Sequence, residues 1–309
     1  MQANFSHKLT MLFILLTLGR AEAQRCVPTM WVSLANSQAR TNQFSNGTFA
    51  SAAAPSKYAI LNGIINGKQP LNYTYPVATF TQLVNRLIAD DRTYNSNGVR
   101  LHFVAYDPAY PAPPSINMTG VMDKQLLLVF SASDSAKGKD RGNFYFIGPN
   151  DGVVYTLPAA TVTAWVQHYV SWDDTPTGLV TTVDHADVIN NQVPGQPGVF
   201  TDTWSIYYDS LAFKDFLITE TNYQIGMGRK IDHIAMDFAA YTGAGDASTG
   251  FKGRMIVIYE FVINNSIFYI DTTPEFPQRQ ANKNCAPVHG GDNGQLCPPN
   301  CPCTPIPCS

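Results

Sequence analysis

The period of the apolar positions changes along this chain, and each change marks an element. Apolar residues recur as Phe80, Leu83, Val84, Leu87 and Ile88, so ATFTQLVNRLIADD (78–91) predicts an amphipathic helix. GVRLHFVAYD (98–107) then alternates with period two. Val99, Leu101, Phe103 and Ala105 fall on one face and Arg100, His102 and Tyr106 on the other, which predicts a half-buried strand. DKQLLLVFSAS (123–133) carries the unbroken run Leu126 to Phe130, the pattern of a central strand covered on both faces. GNFYFIGPND (142–151) predicts one more strand. Before them all, VSLANSQARTNQF (32–44) predicts a helix that Ser33 can cap by accepting a free backbone N–H.

The same order of elements returns later in the chain. YTLPAATVTAWVQHYVSW (155–172) predicts a helix opened by Thr156, and LAFKDFLITETNY (211–223) a second helix. HIAMDFAAYTG (233–243), GRMIVIYEFVI (253–263) and NSIFYIDTTP (265–274) predict three strands. Ser33 stands opposite Thr156, Phe80 opposite Phe213, Tyr106 opposite Tyr241, Leu126 opposite Met255 and Phe144 opposite Ile267. Element order at a near-constant offset is the mark of an internal repeat. The predicted fold is α+β: two tandem similar units, each a small mainly antiparallel sheet with helices on one face. The links DPAYPAPPSINMTGVM and TGAGDASTGFK read as loops, which argues against parallel crossovers. The expected organisation is a leader over 1–23, unit 1 over 27–152, unit 2 over 153–275 and a Cys/Pro-rich tail over 276–309.

VSLANSQA, FTQLVNRLI, GVRLHFVAY, KQLLLVF and the tail LCPPNCPCTP together resemble an uncharacterised family of small Bacteroidota proteins. That family shows an S-L-x-x-A helix, an amphipathic helix, strands of the form V-R-x-Y-F and K-L-x-L-V, and a Cys/Pro-rich end. The resemblance implies an architecture, here duplicated, and no chemistry.

The N-terminus sets the compartment. Lys8, the apolar run TMLFILLTLG (10–19) and Ala21-Glu22-Ala23 form the pattern of a secretory signal peptide cleaved after Ala23, so a secreted or cell-surface protein is expected, with the periplasm as a further location. Removing Lys8, Arg20 and Glu22 with the leader takes the 20 basic and 23 acidic residues to 18 and 22, a net charge of −4. No basic block exists, so nothing points to nucleic acid, and no later run is long enough for a membrane span.

Cys26, Cys285, Cys297, Cys301, Cys303 and Cys308 make an even set of six, five of them in the tail. In an exported chain they are disulfide candidates, with fifteen pairings open. The rival is a zinc site of four thiolates, or three with His289, but the spacings match no familiar zinc pattern. No metal or cofactor is therefore expected.

Candidate chemistry is sparse. His102 and Asp237 occupy matching positions in the two units, and a site forms if the units pack about a pseudo-twofold axis. The plainer reading of His102 is a surface histidine. Trp204, Tyr207 and Tyr208 follow the loop NNQVPGQPG and are expected to be exposed and to bind a partner, whereas Trp165, Tyr169 and Trp172 have the spacing of a core face. DHAD (184–187) and Asp232-His233 hold metal-ligand residue types without a third ligand at a telling spacing. Asn46, Asn72, Asn117 and Asn264 begin glycosylation sequons. The functional expectation is a non-catalytic protein that binds a protein partner or associates with itself. The alternative is a secreted hydrolase of glycan or peptide, with Asp173, Asp174, Asp184 and Asp187 near a cleft between the units.

Overall fold

The computed structural model describes residues 34–47, 56–65, 67–134, 139–170, 205–226, 228–240, 242, 255–264, 266–268 and 295–297. Helices α1 (Leu34–Asn46) and α2 (Lys57–Ile64) lead to strand β1 (Asn72–Pro76) and the long helix α3 (Val77–Tyr94). Strands β2 (Gly98–Ala105), β3 (Leu126–Asp134), β4 (Lys139–Ile147) and β5 (Val154–Leu157) follow, then helix α4 (Ala159–Val170). Strand β6 (Ser205–Asp209) runs into α5 (Ser210–Lys214), a π-helical stretch (Asp215–Glu220) and α6 (Thr221–Gly226). Strands β7 (His233–Ala240), β8 (Met255–Ile263), β9 (Ser266–Phe268) and β10 (Gln295–Cys297) complete the elements.

The predicted stripe explains α3. Phe80, Leu83, Val84 and Leu87 are fully buried, and Ile88 lies at the margin of the core. Pro76, which has no N–H to lose, stands at its N-cap, and Asn95 ends it in the left-handed conformation with φ 49°. Near its C-terminus Asp90 accepts hydrogen bonds from the Tyr145 hydroxyl and the Asn143 N–H, both at 2.9 Å, which fastens the helix to β4.

All strand pairs are antiparallel and form two sheets. One has the order β10-β6-β2-β3-β4-β5 and the other β1-β7-β8-β9. The chain is thus a mixed α+β protein with two antiparallel sheets. The sheets do not follow the expected division at residue 152. β1 joins the sheet of β7, and β6 joins the sheet of β2. The two exchanges share one register: Pro76, last in β1, pairs with His233, first in β7, and Asp209, last in β6, pairs with Gly98, first in β2.

The sheets meet through aromatic rings. Phe103 of β2 lies 6.5 Å from Phe238 of β7, and Tyr259 of β8 packs edge-on against Tyr208 of β6 at 6.2 Å. Such pairs contribute about 0.5–1.5 kcal/mol each beyond the area they bury.

Three expectations are corrected. Thr156 does not cap a helix: it lies in β5, and α4 begins only after Pro158, whose carbonyl accepts the Val162 N–H at 3.1 Å. Helices do not keep to one face of the larger sheet. Tyr145 meets α3 while its neighbour Phe146 meets Trp165 of α4 at 5.8 Å, and successive strand residues point to opposite faces. Finally, β2 is buried at all eight positions rather than half exposed, because its polar residues find partners inside.

Candidate functional site

β1 is the outer strand of the four-stranded sheet. The Phe238 N–H donates to the Leu71 carbonyl and the Val77 N–H to the Asp232 carbonyl, both at 3.0 Å. With Tyr73 opposite Met236 and Tyr75 opposite Ile234, residues 71, 73, 75 and 77 make the ladder. Asn72 and Thr74 therefore turn their backbone N–H and C=O groups away from β7. No hydrogen bond among the described residues takes those two N–H groups.

A groove of about 590 Å³ runs beside this edge, lined by Lys68, Asn72 to Tyr75, the loop Thr119 to Val121, Gln125, and Pro149 with Asn150. Its far wall is braced: Asn150 Nδ2 donates to the carbonyls of Asn117 and Thr119, each at 2.9 Å. Its floor is tied to the larger sheet by the Tyr73 hydroxyl, which donates to the Leu126 carbonyl at 2.8 Å and accepts from Gln125 Nε2 at 3.1 Å. Burial pushes the pKa of the Tyr73 and Tyr75 hydroxyls far above the phenol range, so both stay neutral donors. Among the described residues that line the groove, Lys68 alone carries charge, and none is a carboxylate or an imidazole.

Behind β1, Asp237 stands opposite Asn72 in register. Its carboxyl is pushed up to about 8, first by burial, then by the charge of Glu260 on β8 and a hydrogen bond with that residue; the Asn72 side chain acts the other way. Both acids are buried, and the Ser37 hydroxyl of α1 donates to Glu260. Asp237 and His102 do not meet. His102, on the other sheet, contacts Ser131 Oγ at 3.1 Å and Asp140 Oδ1 at 3.3 Å, all three buried. The Ser131 hydroxyl also donates to Asp140 Oδ1 at 2.7 Å, and Arg100 Nε lies 3.7 Å from the same oxygen. Serine and carboxylate share one imidazole nitrogen here. A nucleophilic triad needs them on opposite nitrogens, so this cluster is an internal ion-pair network. The expected surface histidine is an interior one.

Tyr207 and Tyr208 are buried in β6, against expectation. The Tyr207 hydroxyl donates to the Asn97 carbonyl at 3.0 Å, and the Tyr208 ring packs on Phe213 at 5.4 Å. The expected core residues Trp165 and Tyr169 are buried as predicted. Asp232 pairs with His233 at 3.1 Å on the surface. Asp107, Asp123 and His168 bring three ligand atoms within 4.8 Å of one another, and the 3.1 Å ion pair of His168 with Asp123 accounts for that grouping. Trp172, Trp204, DHAD, Asp173 and Asp174, and Cys26, Cys285, Cys301, Cys303 and Cys308 lie outside the described residues. Of Cys297 only the backbone is described, in β10.

The edge strand itself escaped the sequence reading. NYTYP alternates polar and aromatic residues, but five residues ending in proline are a short signal. Comparison with family models, with curated proteins and with solved structures finds no match for this chain. No helix among the described residues is long and apolar enough to cross a membrane.

Proposed function

We propose that this chain is an exported, non-catalytic binding protein, built on a duplicated α+β unit, that captures an extended segment of a partner polypeptide. The segment adds as a strand to the outer edge of β1. The observation that carries this reading is the outward-facing backbone of Asn72 and Thr74 along a groove with braced walls. Strand addition draws its affinity from main-chain hydrogen bonds and its selectivity from the pockets beside them. Among the described residues, the groove's lining holds no carboxylate or imidazole to move protons, which favours binding over the hydrolase alternative.

Duplication rests on matched elements. β2 and β7 each have eight residues, and β3 and β8 each have nine. A helix follows β1 and β6 alike, with Phe80 and Phe213 buried in equivalent turns. α1 packs on β7 as α4 packs on β2. His102 and Asp237 are both fifth in their strands, and their partners Ser131 and Glu260 are both sixth in theirs.

The test begins with a random-peptide library panned on the mature chain and the affinity of a selected binder measured by calorimetry. Thr74→Pro removes one outward N–H without touching the ladder to β7, and it should weaken that binder at least tenfold. Binders indifferent to Thr74→Pro, or no binder at all, would sink the reading.

A further inference from the structure

The groove beside β1 has a charge at each end. Lys68 stands ahead of Asn72, at the end where β1 begins. Its place is fixed by its neighbour Gln69, which is 3 % exposed. The Gln69 N–H donates to Asn62 Oδ1 at 3.1 Å, and Gln69 Oε1 accepts the Leu126 N–H at 3.0 Å. Lys68 itself is exposed, and among the described residues no carboxylate pairs with it.

Asp151 marks the opposite end. It follows Asn150 of the far wall and precedes Gly152, where a Cβ would lie 3.7 Å from Pro76, the last residue of β1. The Gly152 carbonyl also accepts the Thr79 hydroxyl at 2.8 Å, which fixes this corner to α3. The Tyr155 hydroxyl donates to Asp151 Oδ2 at 2.7 Å and the Val153 N–H to Oδ1 at 3.0 Å. The exposed carboxylate is thus held in place with its charge intact. That charge is felt in the groove: after burial and Tyr73, it is the third cause that raises the pKa of the Tyr75 hydroxyl. The five residues of β1 span about 13 Å, so about five residues of an added strand reach from one charge to the other.

This step rests on capture by strand addition: we propose that the captured segment lies antiparallel to β1 and carries a basic side chain followed about five residues later by an acidic one, the acid meeting Lys68 and the base meeting Asp151. Antiparallel addition continues the sheet as it is built, since its described strand pairs are all antiparallel, and such pairing is the more stable per residue. It sets the C-terminal side of the segment beside the start of β1, where Lys68 stands. A segment with the charges in the other order would place like charges together, which selects against it. Both charges are exposed, so they govern selectivity and register more than affinity.

The test pans a random-peptide library with uncharged constant flanks on the full mature chain. Binders weakened by Thr74→Pro are those that add to β1, and they should share Lys or Arg followed about five residues later by Asp or Glu. Lys68→Glu breaks no hydrogen bond or ion pair among the described residues. It should weaken such a binder about fivefold at low salt, and replacing the peptide's acid with Lys should recover the loss. Asp151→Asn keeps an acceptor for the Val153 N–H and removes the charge, so it should relax the preference for the base alone. Binders indifferent to Thr74→Pro, or no binder, overturn strand capture and this inference with it. Binders that need Thr74 but lack the charged pair, carry it in reverse order or bind Lys68→Glu unchanged overturn the charge assignment and leave strand capture standing.

Discussion

Two clusters of buried polar residues govern this molecule at the scale of single side chains, and they respond to pH in opposite directions. Asp140 feels burial most, which would raise its carboxyl, yet His102, Arg100 and the Ser131 hydroxyl together hold it below its ordinary value. The folded chain therefore binds Asp140's proton less readily than the unfolded chain. Its contribution is complete above the ordinary carboxyl range and is lost as pH falls through the folded value. Asp237 is the reverse. It keeps a proton when folded, from its ordinary 3.8 up to about 8, that the unfolded chain has released. Stability from Asp237 thus falls as pH rises through that interval and is flat beyond it. Thermal unfolding measured from pH 3 to pH 9 should show a maximum on the acid side of neutrality. Asp237→Asn should flatten the descent toward pH 8, and a descent that survives the substitution would place its source elsewhere. Asp140→Asn leaves Arg100 and His102 buried without that carboxylate and should cost about 3–5 kcal/mol at neutral pH. A loss below 1 kcal/mol in denaturant titrations would show that other groups take the place of that carboxylate.

At the scale of elements, the join between β6 and β2 depends on a missing side chain. A Cβ at Gly98 would lie 2.1 Å from the Tyr207 ring, which crosses the strand so that its hydroxyl reaches Asn97. Gly98→Ala should therefore destabilise by about 1–3 kcal/mol through overpacking. Tyr207→Ala clears the space, so the double variant should be at least 1 kcal/mol more stable than the sum of the single losses predicts. Additive losses would mean that the ring moves aside at no cost. Contacts of this kind mark the limit of what the sequence shows. The stripe of α3 and the apolar runs of β3 and β8 were legible because each satisfies a local rule with its own residues. His102 was misread because its partners, Ser131 and Asp140, come from two other strands. Tyr207 and Tyr208 were misread because a loop before them suggested exposure, while β2 and the ring of Phe213 bury them. β5 carries no strand signal of its own, because VYTL is too short to declare itself without the edge of β4. Of the candidate site, Asn72 was visible as a sequon and Asp237 as a polar residue in a strand. Their pairing, and the groove in front of them, depend on an exchange between distant strands that no local pattern records.

That exchange decides how the whole molecule folds. Each half of the chain gives its first strand to the other half's sheet, β1 to β7 and β6 to β2, in the same register. Neither half can complete a sheet from its own residues. A fragment of residues 27–157 would leave β1 without a ladder partner and the edge of β2 open along residues 98–102. An unpaired edge of that length invites aggregation or a substitute strand. Alone, this fragment should lack a cooperative thermal transition, and co-expression with residues 158–309 should restore one. The proposed duplication adds a sharper expectation. Since β2 and β7 are equivalent, two copies of the first fragment can exchange β1 for β1, each pairing with the other's β2. Any fraction of the fragment that does fold should then be a dimer by sedimentation, with the Tyr73 and Tyr75 amides protected from exchange only when dimeric. A monomeric fragment with a cooperative transition would contradict both the reciprocal exchange as a requirement for folding and the equivalence of the two units.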